Sequence, residues 1–238
     1  MSANTKTNDF KFMADREEFL TTIREAAARG RAHRVSLNPH ATAEASYVGG
    51  GADPVGTLIA EWTAVGGRGF RVRGVEAARE FVRDFVRDHQ TRRVLCWRHE
   101  VLERIGIDAV LAERQIEVTV WDDLGRQPAE QARPIAFAAD LGITSVSWAV
   151  AETGTLAVAA NPNQGRIVSL LPPVFLAILE PSQIVPDLFD LFAALEPLKS
   201  NLPSNIALIT GPSKTGDIEL KLTTGVHGPG DVTVLVVE

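Results

Sequence analysis

The sequence predicts an α/β protein with a mostly parallel sheet sandwiched by helices. Segments of strand length and of helix length alternate along most of the chain. The strand segments are apolar at nearly every position, as in strands that are covered on both faces. The chain is 238 residues long with 45% hydrophobic and 23% charged residues, which is enough to bury a full core. In such a sheet, ligands are expected at the carboxyl ends of the strands.

The first half of the chain is expected to hold one helix, a loop and then a regular alternation. Phe19, Leu20 and Ile23 recur at helical spacing and predict an amphipathic helix. Proline, glycine and small residues follow it, including Gly49-Gly50-Gly51, and predict a mobile loop. The predicted elements are a helix over 16–29, a loop over 30–54, a strand over 69–72, a helix over 75–88, a strand over 93–97, a helix over 101–114 and a strand over 116–121.

The second half adds a β-hairpin to this alternation. The apolar runs 143–150 and 155–160 are separated by Ala151-Glu152-Thr153-Gly154, a spacing that predicts an antiparallel hairpin with glycine in a left-handed turn position. The elements predicted after it are a strand over 174–179, a helix over 186–195, and strands over 206–210 and 232–237. We therefore divide the chain into an N-terminal helix with a mobile loop, residues 1–54, and one α/β domain, residues 55–238.

Composition and charge exclude several classes of protein. No apolar run approaches the ~18 residues that a membrane span needs, and the first twelve residues lack the apolar segment of a secretory signal, so a cytoplasmic protein is expected.

The net charge is −6. Residues 1–115 hold 18 Lys and Arg against 16 Asp and Glu, whereas residues 116–238 hold 6 against 14. A nucleic-acid partner is not expected, because its binding needs a clustered basic excess. An acidic protein surface remains a candidate partner for the Arg-rich half.

One candidate site resembles the beginning of a phosphate-binding loop. A glycine, four residues and a second glycine follow the strand predicted over 206–210. Asp217 then stands where such a loop has lysine, and its carboxylate would repel a triphosphate. Gly211, Ser213, Lys214 and Thr215 are instead predicted to bind a smaller anion, such as a carboxylate or monophosphate, between a strand and a helix. Asp217 is assigned to the same substrate-binding set. Alternatively, Ser213 or Thr215 caps that helix and Lys214 is solvated.

The predicted hairpin tip and a loop histidine are the candidate catalytic groups. A carboxylate held near a buried floor has its pKa raised, so Glu152 is a candidate nucleophile or general base, with a solvated turn residue as the alternative. Its neighbours Thr153, Gly154 and Thr155 are assigned to substrate binding. His227, between two glycines, is a candidate proton shuttle, and the alternative is a structural histidine.

A second candidate anion ligand is an arginine that follows a glycine. Gly165 allows the backbone to approach a ligand closely, and the guanidinium of Arg166 can bind a carboxylate through two hydrogen bonds. Because the chain has 19 arginines, an ordinary surface arginine is the alternative.

The sequence predicts no metal and no dinucleotide cofactor in this chain. The remaining histidines have no spacing with cysteine or carboxylate that suits a metal site. No Gly-x-Gly-x-x-Gly follows a strand, so a nicotinamide or flavin dinucleotide site is not supported. Cys96 is the single cysteine, so no intrachain disulfide can form. An iron–sulfur cluster needs about four thiolates, which this chain cannot supply alone.

The candidate segments together resemble the LUD-domain family, in particular its lactate-utilization protein C branch. The resemblance covers about residues 130–238 in good register and extends more weakly to about residue 16. Its specificity comes from six ordered blocks at compatible spacing. The blocks are 142–144, 151–156, 165–166 with 169–173, 184–188, 210–215 with 217–219, and 225–229.

The resemblance implies both a fold and a function. The implied fold is the sheet shared by glucosamine-6-phosphate deaminase, ribose-5-phosphate isomerase and coenzyme A transferases. The implied function is that of a subunit that binds no cofactor and works beside two iron–sulfur subunits, A and B, in the oxidation of L-lactate to pyruvate. Two other hypotheses stay open: a stand-alone enzyme on a sugar phosphate or coenzyme A thioester, with Glu152 as base and Arg166 and Lys214 as anion ligands, or a ligand sensor without catalysis.

Overall fold

The computed structural model describes residues 16–31, 49–216 and 223–238. The chain divides into two compact units, residues 1–47 and residues 48–238, and each is described by itself. In the first unit, α1 (Arg16–Arg31) lies where a helix is predicted. Most of the predicted loop, residues 32–48, lies outside the described residues, as does Asp217.

The second unit contains the other described elements. Its helices are α2 (Pro54–Ala64), α3 (Gly74–Asp88), α4 (Glu100–Ile105), α5 (Ile107–Glu113), α6 (Trp121–Leu124), α7 (Ala129–Phe137), α8 (Ile167–Leu170) and α9 (Leu188–Leu195), with 3₁₀ turns at Pro181–Gln183 and Glu196–Asn201. Its strands are β1 (Arg68–Val72), β2 (Arg93–Cys96), β3 (Glu117–Val120), β4 (Leu141–Thr144), β5 (Trp148–Val150), β6 (Thr155–Ala160), β7 (Val174–Leu179), β8 (Ile184–Val185), β9 (Asn205–Ile209), β10 (Lys214–Thr215), β11 (Thr223–Thr224) and β12 (Asp231–Val237).

A six-stranded parallel sheet forms the centre of the second unit, which confirms the predicted fold class. Its strand order is β1-β12-β7-β4-β2-β3. The central strands β7 and β12 are almost entirely buried, as their continuous apolar sequences predict. Helices α3, α4 and α5 cover one face, where Val82, Ile105 and Leu111 pack against Ile178 and Leu235.

The other face is covered by helices together with a second sheet that the sequence did not predict. This sheet has the order β8-β5-β6-β9. The predicted hairpin is present as the antiparallel pair β5 and β6, and it forms the middle of this sheet. Leu156 of β6 packs with Trp62 of α2, Val168 of α8, and Phe175 and Val234 of the parallel sheet. Helix α9 packs Leu191 on the far side of the second sheet, against Val150 and Ala157.

Three predicted segments differ from the structure by more than one or two residues at their ends. The run 143–150 is not one strand: β4 belongs to the parallel sheet and β5 to the second sheet, because the chain crosses between the sheets at Ser145–Ser147. The helix predicted over 101–114 is interrupted at Gly106, whose left-handed φ of 74° ends α4 and begins α5. Lys214 and Thr215, expected in a turn that leads into a helix, form β10, which pairs with β11.

Helix α2 was not predicted. It begins at the last residue of the predicted loop and continues through a segment to which no element was assigned. Asp53 caps it by accepting a hydrogen bond from the Gly56 N–H at 3.1 Å, and Pro54 occupies the first turn. This Asp-Pro pair is the sequence signal that could have located the helix start. Trp62, near the other end of α2, is completely buried. Helix α7 was also missed, since Pro134 within it disfavours a helix.

An ion-pair network joins the start of α2 to one edge of the parallel sheet and predicts an acid-dependent loss of stability. Arg71 of β1 lies 2.8 Å from an Asp53 oxygen and 2.7 Å from a Glu238 oxygen. The Gly56 N–H and Arg71 lower the pKa of Asp53 from its ordinary value of 3.8, and Arg71 lowers that of Glu238 from 4.5. Because folding lowers the pKa of both carboxyl groups, they stabilise the folded state when the pH is above their ordinary pKa values. This stabilisation is lost as the pH falls through the pKa values of the folded state.

We therefore expect Arg71→Met to destabilise the protein at neutral pH and to have less effect in acid. The measurement is urea unfolding of both proteins at about pH 7 and about pH 3. Arg73→Met is the matched control, because Arg73 is 91% exposed and lies 3.8 Å from Glu238. An equal loss of stability from Arg71→Met at both pH values would show that Arg71 does not lower the pKa of Asp53 or Glu238.

Candidate functional site

Three of the predicted ligand residues surround one pocket, which we call the β9 pocket. Gly211, Ser213 and His227 line it, and its volume is about 220 Å³. The remaining lining residues are Ser169, Leu170, Phe175, Leu208, Ile209, Thr210, Gly228, Pro229 and Val232. The floor is apolar because Phe175 and Val232 belong to the buried parallel sheet, whereas the rim carries hydroxyl and imidazole groups. The pocket therefore offers both apolar contact and hydrogen bonds to a small ligand.

Backbone hydrogen bonds hold the Gly211 and Gly225 segments together at this pocket. The Ser213 N–H donates to the Pro229 carbonyl, and the Gly225 N–H donates to the Ser213 carbonyl, both at 2.9 Å. Gly211 and Gly225 have left-handed φ values of 79° and 80°, which glycine adopts without strain. Ser213 uses its backbone in these bonds and Thr215 lies in β10. The segment after Gly216, where the capped helix was predicted, lies outside the described residues, so the capping alternative stays a prediction.

A chain of hydroxyl groups connects the predicted hairpin to the β9 pocket. The Thr155 hydroxyl lies 2.7 Å from that of Thr153 and 2.8 Å from that of Thr210, which lines the pocket. Each hydroxyl can both donate and accept a hydrogen bond, so a ligand bound to Thr210 would reorient the hydroxyl groups of Thr155 and Thr153. Glu152 is half-buried at the hairpin tip, where its N–H donates to the Pro186 carbonyl at 3.0 Å. It is not among the lining residues of the pocket.

The hairpin tip packs closely against α2. A Cβ added to Gly154 would lie 2.5 Å from the Trp62 backbone nitrogen, and its φ of 60° is left-handed. Gly154 therefore has a packing role here, and its predicted role in substrate binding stays a prediction. The glycine allows α2 and the second sheet to touch, which fixes the position of the hydroxyl chain.

The structure places Lys214 at the end of α2. Its ammonium donates to the carbonyl of Val65, where a cation interacts favourably with the exposed carbonyl groups of a helix terminus. Lys214 does not line the β9 pocket. The structure thus accounts for this lysine by a helix contact, and its role as an anion ligand stays a prediction.

Gly165 and Arg166 lie near the opposite edge of the parallel sheet from the β9 pocket. The Gly165 carbonyl accepts a 3.0 Å hydrogen bond from the indole N–H of Trp97, which follows β2. A Cβ added to Gly165 would lie 2.1 Å from the ring of Trp121, which follows β3. Arg166 is exposed, and no ion pair of its guanidinium occurs within the described ranges. The Gly165 segment is at the carboxyl ends, where ligands were expected.

The β9 pocket itself lies at the amino ends of two parallel strands, contrary to the expected position. Phe175 and Val232 are the second residues of β7 and β12. The physical reason is that Gly211 follows a strand of the second sheet, and this sheet crosses the face of the parallel one. Helix α8 spans the two regions: it follows Arg166, and its residues Ser169 and Leu170 line the pocket.

Sequence reasoning missed most of the apolar lining of the pocket. Phe175, Leu208 and Val232 were predicted as buried strand residues, and apolar strands carry no signal that marks a pocket wall. Thr210 and Ser169 were part of the resemblance and had a usable signal, since each is a polar residue beside a glycine or proline segment.

No group of three or more His, Cys, Asp or Glu side chains that could hold a metal ion occurs in the described ranges. Cys96 is buried, and this burial raises the pKa of its thiol to about 12. A thiol with such a pKa stays protonated at neutral pH and is a poor metal ligand. No helix in the described part of the chain has the length and apolar character to cross a membrane.

Comparisons with known proteins identify a family from the sequence and a similar fold from a solved structure. Residues 55–237 match the family model described as the LUD domain. A protein from Halalkalibacterium halodurans named lactate utilization protein C is 30% identical over 231 residues, which is 94% of this chain and 97% of the relative. One of the same name from Anoxybacillus flavithermus is 37% identical, over 58% of this chain and 60% of the relative. A crystal structure of a DUF162 family protein from Deinococcus radiodurans has a similar fold, with a TM-score of 0.55, 19% identity, and coverage of 77% of this chain and 96% of that one.

Proposed function

This chain belongs to the LUD-domain family, and we propose that it serves lactate utilization as the subunit of an L-lactate-oxidising assembly that carries no iron–sulfur cluster. The support for a role in lactate utilization is the similarity to relatives of that name, one of them over nearly the whole chain. The proposed partners are two cluster-bearing subunits, A and B. The proposed place of action is the cytoplasm.

The observation that carries the proposal is the chemistry of the β9 pocket. L-lactate has a carboxylate, a hydroxyl and a methyl group. In this proposal the hydroxyls of Ser213 and Thr210 donate hydrogen bonds to the carboxylate, and the methyl group contacts Leu170, a lining residue that is 38% exposed. His227 lines the same pocket and accepts the proton of the substrate hydroxyl. A pocket of about 220 Å³ suits an anion of this size.

The chain's own residues bind and orient the substrate, and they do not fit an iron–sulfur cluster. Oxidation of lactate to pyruvate removes two electrons and two protons, one from the hydroxyl and one from the carbon that bears it. His227 takes the hydroxyl proton in this proposal. Cys96 is the single cysteine and its thiol is buried, so this chain alone does not supply the thiolates of an iron–sulfur cluster. In this proposal the two electrons and the proton of the C–H bond pass to an acceptor in the partner subunits.

We expect Ser213→Ala to raise the KM for L-lactate about tenfold or more in the reconstituted assembly, because a hydrogen bond to a charged group is lost. Ser204→Ala is the matched control, since Ser204 is exposed and outside the pocket. The measurement is lactate-dependent reduction of an artificial electron acceptor. Equal KM values for the two variants would place lactate elsewhere.

Purification of the tagged chain from native cells tests the proposed assembly independently. Recovery of cluster-bearing proteins that depends on the tagged chain would support it. Repeated purification without them, together with turnover of a sugar phosphate or coenzyme A thioester by the isolated chain, would contradict it.

A further inference from the structure

Among the described residues, β9 is the edge strand of the second sheet, and its outer side is unpaired. β9 pairs with β6 over five residues, from Leu156 opposite Ile209 to Ala160 opposite Asn205. It ends the second sheet, and no strand within the described ranges pairs with its other side. An edge strand presents a row of backbone N–H and C=O groups that can pair with another strand. β9 therefore has the geometry of a strand-docking site.

β9 lacks the features that protect other sheet edges from pairing. The edge strand β1 carries two arginines that are held in ion pairs, Arg68 with Asp231 and Arg71 with Glu238. The edge strand β8 has only two residues. By contrast, no charged residue occurs between Ser200 and Ser213, and β9 contains no proline. Charges, prolines and short strands are the usual protection of exposed edges.

The open edge also carries exposed apolar side chains beside the β9 pocket. Leu208 is 48% exposed although it lies within the strand, and Leu202, just before the strand, is 54% exposed. Leu208, Ile209 and Thr210 also line the pocket. A second strand placed along this edge would cover Leu208 and add a wall to the pocket.

We propose that a second copy of this chain pairs its β9 antiparallel to β9 of the first copy across a two-fold axis. Antiparallel pairing of a strand with itself obeys two-fold symmetry, which is the most common symmetry of homo-oligomers. Because β9 is uncharged, pairing identical strands places no like charges opposite each other. Four strands from each copy then form one continuous sheet. This inference does not depend on the identity of the pocket's ligand.

The experiment measures the mass of the full chain by light scattering during size-exclusion chromatography, over a series of concentrations. The wild type is expected at twice the protomer mass of 25.7 kDa. Leu208→Lys brings two ammonium groups together at the pairing edge and is expected to raise the dimer dissociation constant at least about tenfold. The control, Phe189→Lys, changes a side chain on α9 that is 80% exposed and is expected to leave the dimer intact.

Hydrogen exchange provides a second measurement that does not depend on a variant. The amides of β9 are expected to exchange more slowly as the concentration of the wild-type chain rises, and equal circular dichroism melts would show that Leu208→Lys remains folded. A monomeric wild type at every concentration overturns the proposal, as does a Leu208→Lys dimer of unchanged stability. If the wild type is monomeric and Leu208→Lys abolishes capture of another protein, the edge belongs to a different partner and the proposal is also overturned.

Discussion

Replacing Trp62 with alanine is expected to lower the free energy of unfolding by about 3–5 kcal/mol, which is typical of a buried tryptophan truncated to alanine. Its side chain is completely buried where α2, the second sheet and the parallel sheet meet. A Cβ added to Gly67 would lie 2.1 Å from the indole nitrogen, so the surrounding backbone is built closely around this ring. Urea unfolding at neutral pH measures the loss.

Two further variants serve as comparisons for Trp62→Ala. The indole N–H is buried without a hydrogen-bond partner among the described residues, so Trp62→Phe removes no hydrogen bond and is expected to cost about 1.5 kcal/mol or less. Phe189→Ala, at a side chain that is 80% exposed, is expected to cost about 0.5 kcal/mol or less. A loss from Trp62→Ala no greater than that from Phe189→Ala would show that α2 does not pack on the sheets.

The parallel sheet was predictable because its strands and helices carry opposite burial patterns. The predicted runs 174–179 and 232–237 are β7 and β12, which are covered on both faces and so tolerate no alternation of polar residues. Helix α3 buries one side only, and Val82 and Phe85 recur at the spacing that this requires. Whether an element is buried on one face or on two can therefore be predicted from the spacing of its apolar residues.

The second sheet was not predictable because an apolar strand does not identify its partner. The run 143–150 looked like one strand, yet Ile143 packs beneath α4 and α5 while Val150 packs beneath α9. Both environments require apolar residues, so the sequence cannot distinguish them. The same holds for β9, whose pairing with β6 depends on a crossing of two sheets.

The candidate site was partly predictable for a related reason. The segments that contain Gly211 and Gly225 were both predicted as site segments, and the structure joins them by hydrogen bonds of Ser213. Arg166 and Lys214 were predicted as anion ligands from their charge and from the glycines near them. Where a long cationic side chain points depends on nearby carbonyl groups and space, and Lys214 contacts Val65, 149 residues away in sequence. Such distant contacts leave no local pattern.

Gly142→Ala is expected to lower the free energy of unfolding by about 3 kcal/mol, at the upper end of the usual cost of overpacking. Gly142 lies in β4, in the centre of the parallel sheet, and a Cβ there would lie 2.0 Å from the carbonyl oxygen of Val168 in α8. Because that oxygen belongs to the backbone, the whole of α8 must move. Ser169 and Leu170, which follow Val168, line the β9 pocket, so the same change is expected to weaken lactate binding.

Gly216→Ala is the matched control for this prediction, because the same methyl group there would meet no atom of the described residues within 4 Å. Urea unfolding gives the stability of each variant, and the rise in melting temperature with added L-lactate reports binding to the folded state. Loss of the lactate response in Gly142→Ala with little loss of stability would show that α8 moves easily and that its position sets the pocket. Equal stability and equal lactate response in both variants would contradict the contact of β4 with α8. In that case Ser169 and Leu170 would have to be positioned by the segment after α8 and by β7 instead.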